Sequence, residues 1–277
     1  YHWGPYALGL NVLLAPGDPA EGWRFTPEGI RATAEFAKRE GRKIAGLVIT
    51  SPDNPTGRTI PMSEQIELAK VALAAGYPYV LLDWIYHWVT DSGHNNINEL
   101  LQAFTPEERD RLIILDGLTK SLGASNVRSA HLLAGKKVVS HIVSQASHAV
   151  VPSYFGQAVA IAAYEMGFEK AAASIIEPTK ESRRILREAL AASNLPHIMG
   201  DGYYAFIDCS EAIAAAGYSD SEALLTHLGE NHGLAVVPGI YFSQAGANWI
   251  RFSYAQSPAK TEGAVKRLFE GLAALKK

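Results

Sequence analysis

The sequence predicts an α/β protein, a mainly parallel sheet sandwiched by helices, followed by a smaller C-terminal α+β unit. Three observations predict it. Short, wholly apolar runs alternate with helix-like stretches through the first half of the chain. Two of those runs, residues 79–83 and 112–116, end on an aspartate, and after about Gly167 the rhythm changes to strand-like runs with other helices between them. Runs that are apolar at every position, not every second one, suit strands covered on both faces, as in a parallel sheet under helices.

In chain order, residues 44–50 form the first strand and break at Ser51-Pro52-Asp53-Asn54-Pro55-Thr56-Gly57, a string of turn-forming residues. A helix is expected next, with Ser63 as its N-cap, Glu64 and Glu67 in its early turns and Gly76 closing it. Residues 79–83 and 112–116 are the next strands. Ligands of parallel sheets bind beyond the carboxyl ends of the strands, and chemically capable residues cluster there. Asn54 follows the first run, Asp83 and Tyr86 the second, and Thr119 and Lys120 the third. Residues 168–193 carry a long charged helix pattern that Pro178 interrupts, marking a kink or a start. Strands over 203–209, 234–237 and 249–254, with helices over 221–230 and 260–275, complete the smaller unit. The expected division is a large domain over 1–167 and an interdomain helix plus small domain over 168–277.

Bulk properties exclude several functions. The 277 residues are 48% hydrophobic and 19% charged, with a formal net charge of -3, an ordinary globular composition. No Lys/Arg stripe favours nucleic acid as a partner, and no apolar run approaches membrane-spanning length. The single cysteine, Cys209, cannot form an internal disulfide; it reads as a packed strand residue in a reducing, cytoplasmic setting. The histidines show no metal-ligand spacing, and His141 and His148 read as sharing one solvated or partly packed helix face. Residues 200–205 match a loose dinucleotide fingerprint but precede a strand instead of opening a helix. The chain opens on Tyr1-His2-Trp3 without a methionine, which reads as a protein lacking its N-terminal part.

Taken in order, the polar residues form a set. Trp3 lies in Trp3-Gly4-Pro5-Tyr6, Asn54 in the Pro-framed turn, and Asp83 ends a strand shortly before Tyr86. Lys120 closes Asp116-Gly117-Leu118-Thr119-Lys120, Arg128 follows, and Arg251 sits inside the apolar run Trp249-Ile250-Arg251-Phe252. This order and spacing resemble the class I/II aminotransferases, the fold-type I pyridoxal-phosphate enzymes, over nearly the whole chain.

That resemblance implies pyridoxal 5'-phosphate as cofactor, an amino acid and a 2-oxo acid as substrates, and a homodimer with active sites at the subunit interface. It implies that Lys120 carries the cofactor as a Schiff base and then moves a proton, with Asp83 facing the pyridine nitrogen. Asn54 and Tyr86 would hydrogen-bond the ring hydroxylate, and Trp3 would stack on the ring. Arg128 would bind the phosphate, with Thr119 nearby, and Arg251 the substrate α-carboxylate together with Asn54.

The residue types suit these roles. Only a lysine side chain forms an imine with an aldehyde. A guanidinium forks onto two oxygens at once, and an arginine in an apolar strand is costly without a counter-ion. The bland alternatives are a solvated Lys120, a turn or N-cap role for Asp83, and an interior ion pair for Arg251. Gly117 stands where many members carry a phosphate-binding serine, and Ser129 where an aliphatic residue is usual. Two other readings remain: a β-lyase, decarboxylase or synthase with the same cofactor, and a non-catalytic aminotransferase-like ligand-sensing domain. Arg251 argues against decarboxylation, because a carboxylate held in place resists leaving.

Overall fold

A computed structural model describes residues 3–13, 17, 21–149 and 153–275; the side chains of Trp3 and of residues 146–149 fall outside that description, as does the expected His141/His148 face in its His148 half. A short helix, α1 (Trp3–Ala7), is followed by α2 (Pro27–Arg39), whose Thr26 side chain caps the Gly29 amide. The first sheet then forms in the order β1 (Leu47–Thr50), β2 (Val80–Asp83), β3 (Leu112–Gly117) and β4 (Ala130–Ala134). The first three strands are parallel and in step, Thr50 beside Asp83 and Asp83 beside Leu115, so their carboxyl ends lie at one edge. The edge strand β4 runs antiparallel to β3, an addition to the expected sheet. Its side chains are half-buried or exposed, so it lacks the uninterrupted apolar run that marks the other strands.

Between β1 and β2 lies α3 (Met62–Ala74), and between β2 and β3 lie α4 (Ile97–Gln102) and α5 (Pro106–Arg109). Ser63 is not the cap of α3. The helix begins two residues earlier than that cap implies, after Pro61, whose φ of -55° already suits a helix start and whose carbonyl takes the Gln65 amide. Ile49, Leu68, Val80, Leu82, Leu112 and Ile114 form the core between this sheet and its helices. Each fully buried aliphatic side chain contributes about 1.5–3 kcal/mol.

One turn of helix, α6 (Leu118–Ser121), follows β3, and after β4 come α7 (Lys136–Ala149) and α8 (Tyr154–Met166). The long helix α9 (Phe168–Ala191) starts after Gly167 and runs through Pro178 without ending there. Packing outweighs the lost hydrogen bond, since Ile176, Thr179, Ser182 and Arg183 are buried on either side of the proline. The guanidinium of Arg183 pairs with Asp91 at 2.6 Å and bonds the Val89 carbonyl, fastening α9 to the loop beyond β2.

A second sheet has the order β5 (His197–Met199), β6 (Tyr204–Asp208), β8 (Trp249–Ser253), β7 (Val237–Pro238), antiparallel throughout. Of the expected strand 234–237 only the last residue joins the ladder; Leu234 and Val236 are buried in the core, and Pro238 has no N–H to extend the pairing. Helices α10 (Ser210–Ala215), α11 (Ser221–His232) and α12 (Pro258–Ala274) cover this sheet over Leu186, Ile207, Leu224, Leu228, Ile250, Phe252 and Leu268.

Among the described residues no helix is long and apolar enough to cross a membrane, and no His/Cys/Asp/Glu group could hold a metal ion. Cys209 lies just past β6 and is buried; that burial, then Asp208, pushes its thiol up to about 12. Cys209 is therefore expected to resist a disulfide reagent at pH 8 in the folded protein and to react in urea. Prompt stoichiometric labelling of the native protein would contradict this.

Candidate active site

The carboxyl edge of the first sheet supplies the acid and the amine. Asp83 ends β2 and is buried; its Oδ1 accepts the Ile85 amide at 3.0 Å, turning the chain so that Tyr86 packs inward. Trp84 donates its amide to the Leu115 carbonyl of β3 at 2.8 Å, which locks this turn beside the strand leading to Lys120. Lys120 sits on α6 with its Nζ 5.5 Å from the centroid of the Tyr86 ring. Asp83 bears on the same tyrosine electrostatically, so acid and amine share Tyr86 as a neighbour. Burial, then the adjacent Tyr204, pushes the Tyr86 hydroxyl well above its ordinary value, while Arg251 pulls the other way. The hydroxyls of Tyr86 and Tyr204 lie 3.1 Å apart.

Arg251 comes from β8, in the second sheet. Its Nη1 donates to Asn54 Oδ1 at 2.7 Å, and its Cζ lies 4.3 Å from the Tyr204 ring centroid and 5.4 Å from that of Phe242. Its Nε is buried without a partner, and among the described residues no carboxylate pairs with it. The interior ion pair that would have explained Arg251 structurally is thus not present in the described part. A cation held by two rings and a neutral amide leaves its charge uncompensated until an anion arrives.

Asn54 reaches Arg251 because the turn after β1 is packed onto β6. Thr56 binds Asp53 Oδ2 through its amide at 3.2 Å and its hydroxyl at 2.6 Å, and Ser51 Oγ takes the Ile60 amide at 2.9 Å. Gly57 adopts φ +70°, and a Cβ there would fall 2.1 Å from the Tyr204 carbonyl oxygen. Only glycine fits both the backbone and the space. Gly57→Ala is expected to cost about 2–4 kcal/mol from strain and overpacking together, read as a lower urea midpoint; a change under about 0.5 kcal/mol would show that the two segments part easily.

The model of the family "Aminotransferase class I and II" matches residues 7–268. The chain belongs to that family. Among its relatives, the aspartate aminotransferase of Geobacillus stearothermophilus is 28% identical over 275 residues, covering 93% of this chain and 65% of that protein. The aromatic-amino-acid aminotransferase 2 of Thermococcus litoralis is 29% identical over 265 residues, with the same coverage of 93% and 65%. The chain thus spans about two thirds, strictly 65%, of the length of these curated relatives. In fold it is similar to the aspartate aminotransferase from Thermus thermophilus with maleate, with a TM-score of 0.77 at 24% identity over 95% of this chain and 64% of that one. An aromatic aminotransferase from Pyrococcus horikoshii gives a TM-score of 0.83 at 23% identity over 100% of this chain and 71% of that one.

Within this aminotransferase-family chain, the structure gathers Lys120, Asp83, Tyr86, Asn54 and Arg251 around one cluster. Thr119 is half-buried on the same turn as Lys120. Arg128 is exposed, at φ +54°, and its Nη1 donates to the Ser125 carbonyl at 2.8 Å. Its neighbour Ser129 accepts the Leu118 amide at 3.3 Å, which keeps this loop against the base of the Lys120 turn. The side chain of Trp3 lies outside the described residues. Gly117 is explained by packing, since a Cβ would meet Ala130 and the Ser129 carbonyl of the antiparallel strand at 3.0 Å.

The sequence pointed to the loops around Tyr203, Tyr204, Ile240 and Tyr241 only as a side-chain pocket and gave Phe242 and Asp116 no site role. Tyr203 donates to the Lys120 carbonyl at 2.5 Å and packs edge-on to Tyr86 at 5.8 Å. Phe242 lies over Arg251. Asp116 is buried and meets His87 Nε2 at 3.1 Å and Trp88 Nε1 at 3.2 Å, steadying the strand end below Lys120. The Tyr203-Tyr204 pair at the start of an apolar strand was the visible signal; which way each ring points was not.

Proposed function

We propose that this chain carries the cofactor- and substrate-binding centre of a pyridoxal-phosphate-dependent aminotransferase, moving an amino group between an amino acid and a 2-oxo acid. One observation carries the reading. Two cations without acid partners among the described residues, Lys120 and Arg251, stand against the rings of the hydrogen-bonded Tyr86–Tyr204 pair, with buried Asp83 beside them. An amine, a buried carboxylate, a phenol and an anion-seeking guanidinium are the groups that the cofactor's aldehyde and ring and an amino acid's carboxylate require, so the residues fit that part of it.

Pyridoxal phosphate supplies an aldehyde and an electron-withdrawing ring that makes the Cα proton of a bound amino acid removable. Lys120 would hold the aldehyde and, once displaced by the substrate amine, would carry the proton that leaves Cα, its free amine staying within reach of the carbons on either side of the imine nitrogen. Asp83 would face the ring nitrogen and keep it protonated. Tyr86 would donate to the ring oxygen, and Asn54, whose Oδ1 is engaged by Arg251, would have its amide nitrogen free to donate to it as well. Arg251 takes the α-carboxylate on two nitrogens. Arg128 and Thr119 are assigned to the phosphate and Trp3 to the ring face.

The same reading includes a large domain over 1–167 and a small one over 168–277. Two sheets with separate cores and the start of α9 after Gly167 support it. It also includes a homodimer, and a cytoplasmic setting with which the lone buried thiol is consistent. The names of the relatives put aspartate and the aromatic amino acids first among substrates to try.

The test is direct. Purified protein is loaded with pyridoxal phosphate, its visible spectrum recorded, and each amino acid offered with 2-oxoglutarate. A coloured protein that forms glutamate supports amino transfer. Pyruvate and ammonia would make it a lyase, and a protein that takes up no cofactor would overturn the reading.

A further inference from the structure

We propose that Tyr204 is a positioning residue that serves both halves of this site at once: its hydroxyl fixes the hydroxyl of Tyr86, and its ring fixes the plane of the Arg251 guanidinium. The inference rests on the function proposed above and adds a residue to it.

The geometry leads there from three sides. The Tyr204 hydroxyl lies 3.1 Å from that of Tyr86, and either can donate. The ring of Tyr204 lies under Arg251 at 4.3 Å, nearer than the other ring, Phe242, at 5.4 Å. The backbone of Tyr204 is held in turn, because its carbonyl is the atom that Gly57 is shaped to clear, and Gly57 belongs to the turn that presents Asn54. Tyr204 is buried. One side chain therefore touches the tyrosine assigned to the cofactor and the arginine assigned to the substrate.

The consequence follows from hydrogen-bond cooperativity. With Tyr86 donating a hydrogen bond to the cofactor's ring oxygen, the Tyr86 oxygen would be the acceptor and Tyr204 the donor. A phenol whose oxygen accepts a hydrogen bond is a stronger donor through its own proton. Tyr204 thereby strengthens the Tyr86 bond and withdraws charge from the ring oxygen. Without it, more charge stays on that oxygen and the proton of the Lys120 linkage is held harder. The groups facing Tyr86 are Lys120, Asp83, Tyr203, Tyr204 and Arg251; Tyr204→Phe changes none of the charges among them.

The test uses cofactor-loaded protein and reads the pH midpoint of its visible band together with substrate kinetics. Tyr204→Phe keeps the ring and loses the hydroxyl. Its band midpoint is expected to rise by about one pH unit, with KM for the amino acid unchanged within about twofold. Tyr204→Leu loses both, and is expected to add a KM increase of about tenfold. The shifts of Tyr204→Phe and Tyr86→Phe should also be less than additive, because the hydroxyls act as a pair. An unaltered midpoint in Tyr204→Phe, or full additivity with Tyr86→Phe, would overturn the inference while leaving the proposed function intact. A wild-type protein with no band at all would remove the proposed function, and this inference with it. The urea midpoint of Tyr204→Phe, expected near that of the wild type, separates a lost hydroxyl from a damaged fold.

Discussion

Lys120→Ala is expected to lower amino transfer by at least about a thousandfold and to leave the protein colourless after incubation with pyridoxal phosphate. The reason is chemical, not electrostatic. The lysine amine is needed to bind the aldehyde covalently and then to move a proton between two carbons, and alanine can do neither. Lys120→Arg keeps the positive charge but cannot form the imine, so its loss should match that of the alanine variant. Stability should hardly change, because Lys120 is half-buried and its ammonium lies over the face of Tyr86 without an acid partner among the described residues. Visible absorption before and after borohydride reduction, together with a glutamate-formation assay, checks all of this. A coloured, borohydride-fixed adduct in Lys120→Ala would place the cofactor on another amine and end the assignment.

Arg251→Met should move function and stability in opposite directions. Removing the guanidinium takes away the two-nitrogen seat for the α-carboxylate, and kcat/KM is expected to fall by about 10²- to 10³-fold. Arg251→Lys should recover little of it, since a point charge does not reproduce the fork. The folded state, by contrast, carries a cation with a buried, unpartnered Nε and no carboxylate among the described residues. Replacing it with an apolar side chain of similar reach is expected to be neutral or stabilising by about 1 kcal/mol, measured by urea unfolding. A destabilisation of several kcal/mol would instead mark Arg251 as part of a structural ion pair. That outcome would remove the substrate-binding role.

Much of the first sheet could be read from local pattern. The strands ending at Asp83 and Gly117 advertise themselves by unbroken apolar runs, and the residues beyond them fall at the carboxyl edge because parallel strands in step end together. The pattern was silent on β4, whose mixed exposure carries no period, and misled at Ser63, where the fixed φ of Pro61 started the helix first. Pro178 looked like a boundary because proline is unfavourable within a helix, yet burial of the residues around it carried α9 through. Arg128 could be placed near Lys120 from its position in the chain, but its orientation depended on a positive φ that no residue type announced.

By itself, the sequence determined the chemical inventory and the strand ends on which most of it stands, because side-chain chemistry is intrinsic and the apolar runs that bury a strand lie within a few residues of one another. Only the tertiary structure decided which members meet. The Tyr86–Tyr204 hydroxyl pair spans 118 residues of chain and the Arg251–Asn54 bond spans 197. Contacts over such separations are set by how one sheet packs on the turn of another, through a glycine shaped to clear a single carbonyl, and no local pattern encodes that.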